Sequence, residues 1–585
     1  MSIVLRYAAA VGALALAAAC AGSSPAGTDA APSDSARLVL IVPPPASAHS
    51  GVPFAAAPVV ELRDEMGHVE ARAGVMVFVS IENSTGMAGP DSVMITTSNG
   101  RATFTGMEIV GKATTQRVTF SASGFRPVSA DVALLAGPPA RLVAVHAERE
   151  WAKAGGAVER PPSIRVSDGA GNSVAGVRVT FTPASGSGSV EHPIATSDAA
   201  GVASPGTWTL GATVGRQQLV AAVEAAGVAP LGMTAVALPA NLRFERLASN
   251  ADFGMCALTA DGAGWCWGRD DLAQLGDSVG SLDAGPASRP VPIAGGLHLT
   301  QVSLGAYACA LAEGGGASCW GRAPTDDGSS WTPSAVSGAP VLTAITVGGW
   351  GGRDFACGLD AAGAAYCWGN NIGGALGTGD TMDRDVPTPV VGGHRFKTIA
   401  AGGTHTCALT AEGTAFCWGS PLLEGDVALM PTAVPGSLAF ASISASVGVT
   451  CGVTVDGKGY CWGYGGDGRL GDGAAHIAAA PSAVAGDITF ASISAGAGES
   501  CGLATDGMAW CWGEGYLGDG QAHQSYVPVR VSGGLVFRAL TTNTGGACAL
   551  TADDRAYCWG GNSYGQAGNG TFEPTLVPVA VFGQD

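Results

Sequence analysis

Short apolar runs broken by polar turns fill the chain from Ala36 onward, and almost nothing in it recurs with the period of a helix. From Ala240 to the end the runs follow one order, met seven times. An apolar entry strand such as Phe396-Lys397-Thr398-Ile399 leads to a cysteine segment of the form CALTADGAGWCWG (256–268), then to a glycine-rich loop, then to a strand containing proline. A unit of about fifty residues repeated in this way is the period of propellers and solenoids.

The cysteine segment reads as a β-hairpin. Pairing centred on Asp261 sets Cys256 opposite Cys266 and leaves Ala260-Asp261-Gly262 as a three-residue loop, whose last residue must adopt positive φ. Glycine stands there in six repeats (Gly262, Gly315, Gly363, Gly413, Gly457, Gly507), and the seventh has Asp554, a residue type that tolerates this conformation better than most. Strand alternation then places both cysteines on one face, with Trp265 and Trp267 on the other. Across from Trp265, Tyr366, Phe416, Tyr460, Trp510 and Tyr557 stand Ala257, Gly358, Ala408, Gly452, Gly502 and Ala549, so each large ring meets a small partner; repeat two departs, with Ser318. The seven prolines, Pro290, Pro333, Pro387, Pro431, Pro481, Pro528 and Pro578, are each followed three residues on by Ile or Val and five on by Gly. A residue without an N–H belongs at a strand start or on an edge strand, so this strand is predicted to form the outer rim of a four-stranded unit.

Residues 36–239 contain no cysteine but carry a longer repeat. Ala36-Arg37-Leu38-Val39 returns as Ala140-Arg141-Leu142-Val143, VMVFVS (75–80) answers VRVTFT (177–182), and TSNGRA (97–102) answers TSDAAGVA (196–203). Two units of about a hundred residues, built of short strands and Gly, Asp and Asn turns, suit β-sandwiches. DGAGNSVAGVRVTF, with the TSDAAGVA turn and WTLG (208–211), resembles the bacterial immunoglobulin-like modules of adhesins and surface lipoproteins, which implies a stalk holding the next domain away from a membrane. Trp151 and Trp208 are expected in cores or at edges.

At the N-terminus, Arg6 precedes the apolar stretch Ala8–Ala19, the layout of a secretory signal and too short for a membrane span. Leu16-Ala17-Ala18-Ala19-Cys20 resembles the bacterial lipoprotein cleavage box, which implies cleavage before Cys20 and a lipid on that residue. Ala21 in place of aspartate then implies the outer membrane. Residues 21–35 contain no large apolar side chain and read as a tether. Export places the other cysteines in an oxidising compartment, and the hairpin register brings them face to face. Seven disulfides are therefore expected: Cys256 with Cys266, Cys309 with Cys319, Cys357 with Cys367, Cys407 with Cys417, Cys451 with Cys461, Cys501 with Cys511, and Cys548 with Cys558.

Composition narrows the function. A net charge of −18, with about fourteen basic against about thirty acidic residues in the repeat region and no basic run anywhere, opposes nucleic-acid binding. The run His405-Thr406-Cys407-Ala408-Leu409, the recurring CWG, and loops such as GNNIGGALGTGD (369–380), DGRLGDG (467–473), GYLGDG (515–520) and GGNSYGQAGNG (560–570) resemble the regulator of chromosome condensation repeat, including its secreted bacterial relatives. The resemblance implies a propeller. Nucleotide exchange on a small GTPase, as in the eukaryotic relative, is disfavoured by export. Repeats two and four lack the G-x-L-G loop and read GRAPTDDGSSW and GSPLLEGDV.

The expected fold is thus all-β: a signal peptide (1–19), a tether (20–35), immunoglobulin-like sandwich modules at 36–137 and 138–239, and a seven-bladed β-propeller at 240–585. Catalytic chemistry finds no footing, since His298, His394, His405, His476 and His523 form no close arrangement in sequence, and no nucleophile elbow or phosphate loop occurs. The nine-residue cysteine gap is not that of zinc knuckles, and Asp380, Asp383 and Asp385 lack the full calcium-loop pattern. No metal or cofactor is expected. The reading is a non-catalytic cell-envelope binding protein of the outer membrane, facing periplasm or exterior, membrane-bound through its lipid only, and recognising a protein or glycan. A propeller lyase or hydrolase, or an inhibitor of a secreted enzyme as in the propeller-type β-lactamase inhibitors the domain also resembles, are the alternatives. Trp331, Trp350, Tyr464, Tyr516 and Tyr526 lie outside the repeated aromatic positions and are the candidate partner-binding residues.

Overall fold

The computed structural model describes residues 36–82, 93–146, 149–249, 253–278, 285–305, 307–322, 329–420 and 427–584. Cys20 and the signal and tether segments lie outside these residues. The described chain is all-β, with one 3₁₀ turn (Ile372–Gly374) and no α-helix. None of its helices is long and apolar enough to cross a membrane. It forms two compact units, one running to Pro139 and including Ser167–Val174, the other made of Ala140–Val166 and Ala175–Asp585. The second unit thus holds most of residues 138–239 together with the repeat region, and the DGAGN turn falls in the first unit.

In the first unit, strands Val93–Ile95, Met76–Ile81, Thr115–Ala122, Phe125–Leu135, Arg37–Val42, Val59–Arg63 and Arg101–Thr103 pair in that order. The long strand Phe125–Leu135 joins the two halves, and alternate residues turn inward to a core around Leu38, Val60, Leu62, Val77, Phe104, Phe120 and Val132. The DGAGN turn is fixed by its own side chains. Asp168 Oδ2 accepts from the Gly137 amide (2.7 Å), and Asn172 donates to the Gly111 carbonyl (2.8 Å) while accepting from the Ala113 amide (2.9 Å).

The second unit begins with a five-stranded sheet (Glu150–Lys153, Leu231–Leu238, Gly215–Val223, Arg178–Pro183, Ile194–Thr196) and a three-stranded one (Val202–Ala203, Ile164–Ser167, Arg141–Ala144). Trp208 is buried there and donates its indole N–H to the Ser187 carbonyl (2.9 Å).

Seven four-stranded sheets follow, each made of four consecutive strands, from Arg246–Ala248, Gly254–Leu258, Gly264–Gly268 and Ala287–Pro292 to Phe537–Asn543, Gly546–Thr551, Ala556–Gly560 and Thr575–Ala580. The hairpin register is the expected one: Cys256 faces Cys266, Ala257 faces Trp265, and every repeat matches. The loop glycines take φ between +78° and +86°, and Asp554 takes +64°. All seven cysteine pairs are bonded, with Cα–Cα separations of 4.0 to 4.1 Å. The prolines lie on the fourth, outer strand. Their place is more specific than an edge, because each falls inside a bulge opposite the CWG tryptophan, between the residue paired with the second cysteine and the one paired with the following glycine. Pairing is already interrupted there, so the missing N–H costs no ladder bond.

Candidate partner-binding face

The repeat's most regular residues are spent on joining one sheet to the next. Trp320 of the second sheet donates its indole N–H to the Gln274 carbonyl of the first (2.9 Å), Trp512 of the sixth to Arg469 of the fifth (3.0 Å), and Trp267 of the first to Gln566 of the seventh (2.9 Å), so the last sheet packs on the first. Two residues after each acceptor comes the closing glycine of the loop, which reads G-x-L-G in repeats three, five and six, Ala273-Gln274-Leu275-Gly276 in repeat one and Gly565-Gln566-Ala567-Gly568 in repeat seven. A Cβ on Gly276, Gly377, Gly471, Gly518 or Gly568 would lie 2.6 to 2.7 Å from the indole of Trp320, Trp418, Trp512, Trp559 or Trp267. The loop is therefore a clamp on the neighbouring sheet's tryptophan, and it serves five of the seven seams. The loops of repeats two and four, which lack that sequence, fall largely at residues 323–328 and 421–426, outside the described residues.

Within the loops, buried Asn371 and Asn562 act as hubs. Asn371 donates to the carbonyls of Asp380 and Met382 (both 3.0 Å) and accepts from the Leu376 amide (2.9 Å); Asn562 does the same with Thr571, Glu573 and Ala567. The acidic cluster near Asn371 is used internally. Asp380 pairs with Arg384 (2.6 Å), a hydrogen bond that lowers its pKa, and Asp383 accepts from the Asn371 amide (2.7 Å) and the Asn370 side chain (3.2 Å). Among the described residues no group of three or more His, Cys, Asp or Glu is placed to hold a metal ion.

Two buried ionisable groups stand at one structural position, two residues before the first cysteine. His405 in the fourth sheet meets the Thr450 hydroxyl at 2.8 Å, and burial lowers its pKa to about 4. Glu499 in the sixth is pushed up to about 8 by burial, against the pull of Arg469 and of the Gly545 and Gly546 amides. Both are closed off from solvent, so they act within the seams. Single departures from a repeat carry no period, and sequence reasoning passed Glu499 over.

The connections between first and second strands and between third and fourth strands share one end of every sheet, and all five candidate aromatics lie at that end. They differ in use. Trp331 and Tyr526 are half-buried and occupy a repeated position two residues before the outer-strand proline. Their carbonyls accept the amides of Ser278 (3.1 Å) and Gly473 (2.9 Å) from the preceding sheet's loop, as Leu429, Leu576 and Ser288 do elsewhere. Tyr516 is half-buried at the end of strand Ala509–Tyr516, paired with Ala522. Trp350 and Tyr464 stand out, with 48% and 43% of their surface exposed. Tyr464 has the Arg469 guanidinium 5.2 Å from its ring centre and pairs across the strand with Ile477, itself 56% exposed. Trp350 belongs to the third sheet and Tyr464 to the fifth, the sheets that follow repeats two and four.

Two stretches of the repeat region match known family models. Residues 362–409 match the regulator of chromosome condensation (RCC1) repeat. Residues 545–566 match a second description of the same repeat. No curated protein matches the chain. Solved structures similar to it include Prp20p of Saccharomyces cerevisiae, 20% identical over 55% of this chain and 87% of that one (TM-score 0.49). Human WBSCR16 is 19% identical over 64% and 99% (TM-score 0.48). The CRINKLY ectodomain of the Arabidopsis thaliana receptor kinase ACR4 is 18% identical over 54% and 97% (TM-score 0.37). Two stretches of the chain thus match RCC1 repeats, and they lie within its all-β, four-stranded sheets.

Proposed function

We propose that this protein is a non-catalytic recognition protein whose head is a seven-bladed β-propeller of RCC1 repeats, preceded by immunoglobulin-like modules and tethered by lipid on Cys20 to the outer membrane. The ligand is a protein or glycan, bound at the loop end of the third to fifth blades. One observation carries the reading. The recurring tryptophans and the clamp glycines pack at the seams and the hub asparagines hold their own loops, whereas Trp350 and the Tyr464–Ile477 pair are large and exposed. Repetition builds scaffold, and exposed aromatics that depart from it are the groups that anchor interfaces. The buried state of His405 and Glu499 weighs against either serving as an acid or base toward a substrate. The test is retention of cell-envelope and host-extract components on the full chain, compared with Trp350→Ala and Tyr464→Ala at matched folding.

A further inference from the structure

The outer strand of the first blade, Ala287–Pro292, is covered where its counterparts are open. Ser288 and Val291 are buried, while at the matching positions Leu576 is exposed and Val529 and Val579 are half-buried. The cover is the second sandwich module. Trp151 donates its indole N–H to the Pro290 carbonyl (3.1 Å), which occupies an acceptor on the sheet's free edge. Arg289 lies 5.4 Å from the Trp151 ring and 4.0 Å from the Phe582 ring, and pairs with Glu159 at 3.4 Å. Deeper in the contact, Arg149 Nη2 stands 2.7 Å from Asp270 and 3.0 Å from Asp277, with all three side chains at most 7% exposed. Arg216 donates to the Asp277 carbonyl (3.2 Å) and the Ser278 hydroxyl (2.8 Å).

Asp270 occupies the hub position held by Asn371 and Asn562. It keeps the acceptor half of the role, taking the Leu275 amide at 3.2 Å, but a carboxylate cannot supply the donor half, and its other oxygen turns to Arg149. Asp277 stands where Thr378 and Asn569 stand in the third and seventh repeats and where Asp472 and Asp519 stand in the fifth and sixth. The change at Asp270 puts a second negative charge beside Asp277, at the place where Arg149 arrives. We propose that the loop of repeat one is a receptor for the second sandwich module, in which Asp270 and Asp277 take Arg149 and fix the module as a cap on the propeller's first blade rather than as a link of a stalk. Burial and the Asp277 carboxylate raise the Asp270 pKa to about 6 against the pull of Arg149. A capped edge also cannot recruit a strand from another chain.

Hydrogen exchange on the full chain tests this. Arg149→Met keeps the apolar stem and leaves two buried carboxylates facing each other. Amides of Glu150–Lys153 and Ala287–Val291 should then exchange faster, on the order of a hundredfold, with the fifth blade unchanged. Adding Asp270→Asn and Asp277→Asn removes the stranded charge and should recover most of the protection. Unchanged exchange in Arg149→Met, acceleration spread evenly over all blades, or no recovery in the triple variant would each overturn the receptor assignment.

Discussion

Gly471 and Gly473 lie in one loop of the fifth repeat and separate the clamp from ordinary turn chemistry. Both have positive φ, +70° and +90°, so alanine at either position strains the backbone by about 1–2 kcal/mol. At Gly473 the new Cβ would meet only a Val527 methyl at 3.9 Å. At Gly471 it would stand 2.7 Å from Trp512 Nε1 and 2.8 Å from Cδ1, well inside van der Waals contact, on a ring held in a packed seam. Moving the indole to relieve this overpacking costs about 1–3 kcal/mol, and losing its 3.0 Å bond to the Arg469 carbonyl strands a buried donor for about 1–3 kcal/mol more. Gly471→Ala should therefore destabilise the seam by about 3–8 kcal/mol and Gly473→Ala by about 1–2 kcal/mol. Native-state hydrogen exchange across strand Ala509–Tyr516 reads the difference directly, because it reports local opening in a protein whose unfolding as a whole need not be one step. Equal effects from the two substitutions would refute the idea that the G-x-L-G loop works by clamping the next blade's tryptophan.

The seams also set a pH dependence with two limbs. Glu499 titrates near 8 when folded and from a reference of 4.5 when unfolded, so its contribution is whole below 4.5 and fades as pH rises to about 8. Glu499→Gln should remove that alkaline loss, seen as a flatter melting temperature between pH 5 and 8.5. His405 shifts the other way, from 6.5 down to about 4, so its contribution is present above 6.5 and lost as pH falls through 4. Replacing Cys451 and Cys461 together by serine should cost about 2–3 kcal/mol on the chain-entropy estimate, and peptide mapping of the native protein without reductant should find every hairpin pair joined within its own repeat.

Much of the propeller-like scaffold was legible because its determinants are local. The cysteine spacing, the loop glycine and the small residue opposite each ring all lie within one hairpin, and together they define its register without any long-range information. The outer-strand proline was legible as an edge signal, but its bulge was not, since that depends on how the third strand's tryptophan turns away from the ladder. The joins between blades were hidden for the same reason of distance: Gly568 meets Trp267 from the far end of the ring. Trp331 and Tyr526 read as irregular because aromatic identity varies there while the backbone role repeats. The grouping of the second module with the repeat region rests on a shared core around Trp151 and Leu238 and on Arg149, Asp270 and Asp277, none of which any local pattern marks.

The central claim, that recognition lives in the exposed aromatics of the third and fifth blades, meets its most direct test in one paired measurement. Trp350→Ala and Tyr464→Ala, alone and together, are compared with Trp512→Ala for thermal stability and for capture of envelope and host components. The account predicts that the first pair abolishes capture at unchanged melting temperature, while Trp512→Ala lowers stability by about 3–5 kcal/mol. Capture that survives in the Trp350/Tyr464 double variant would contradict it.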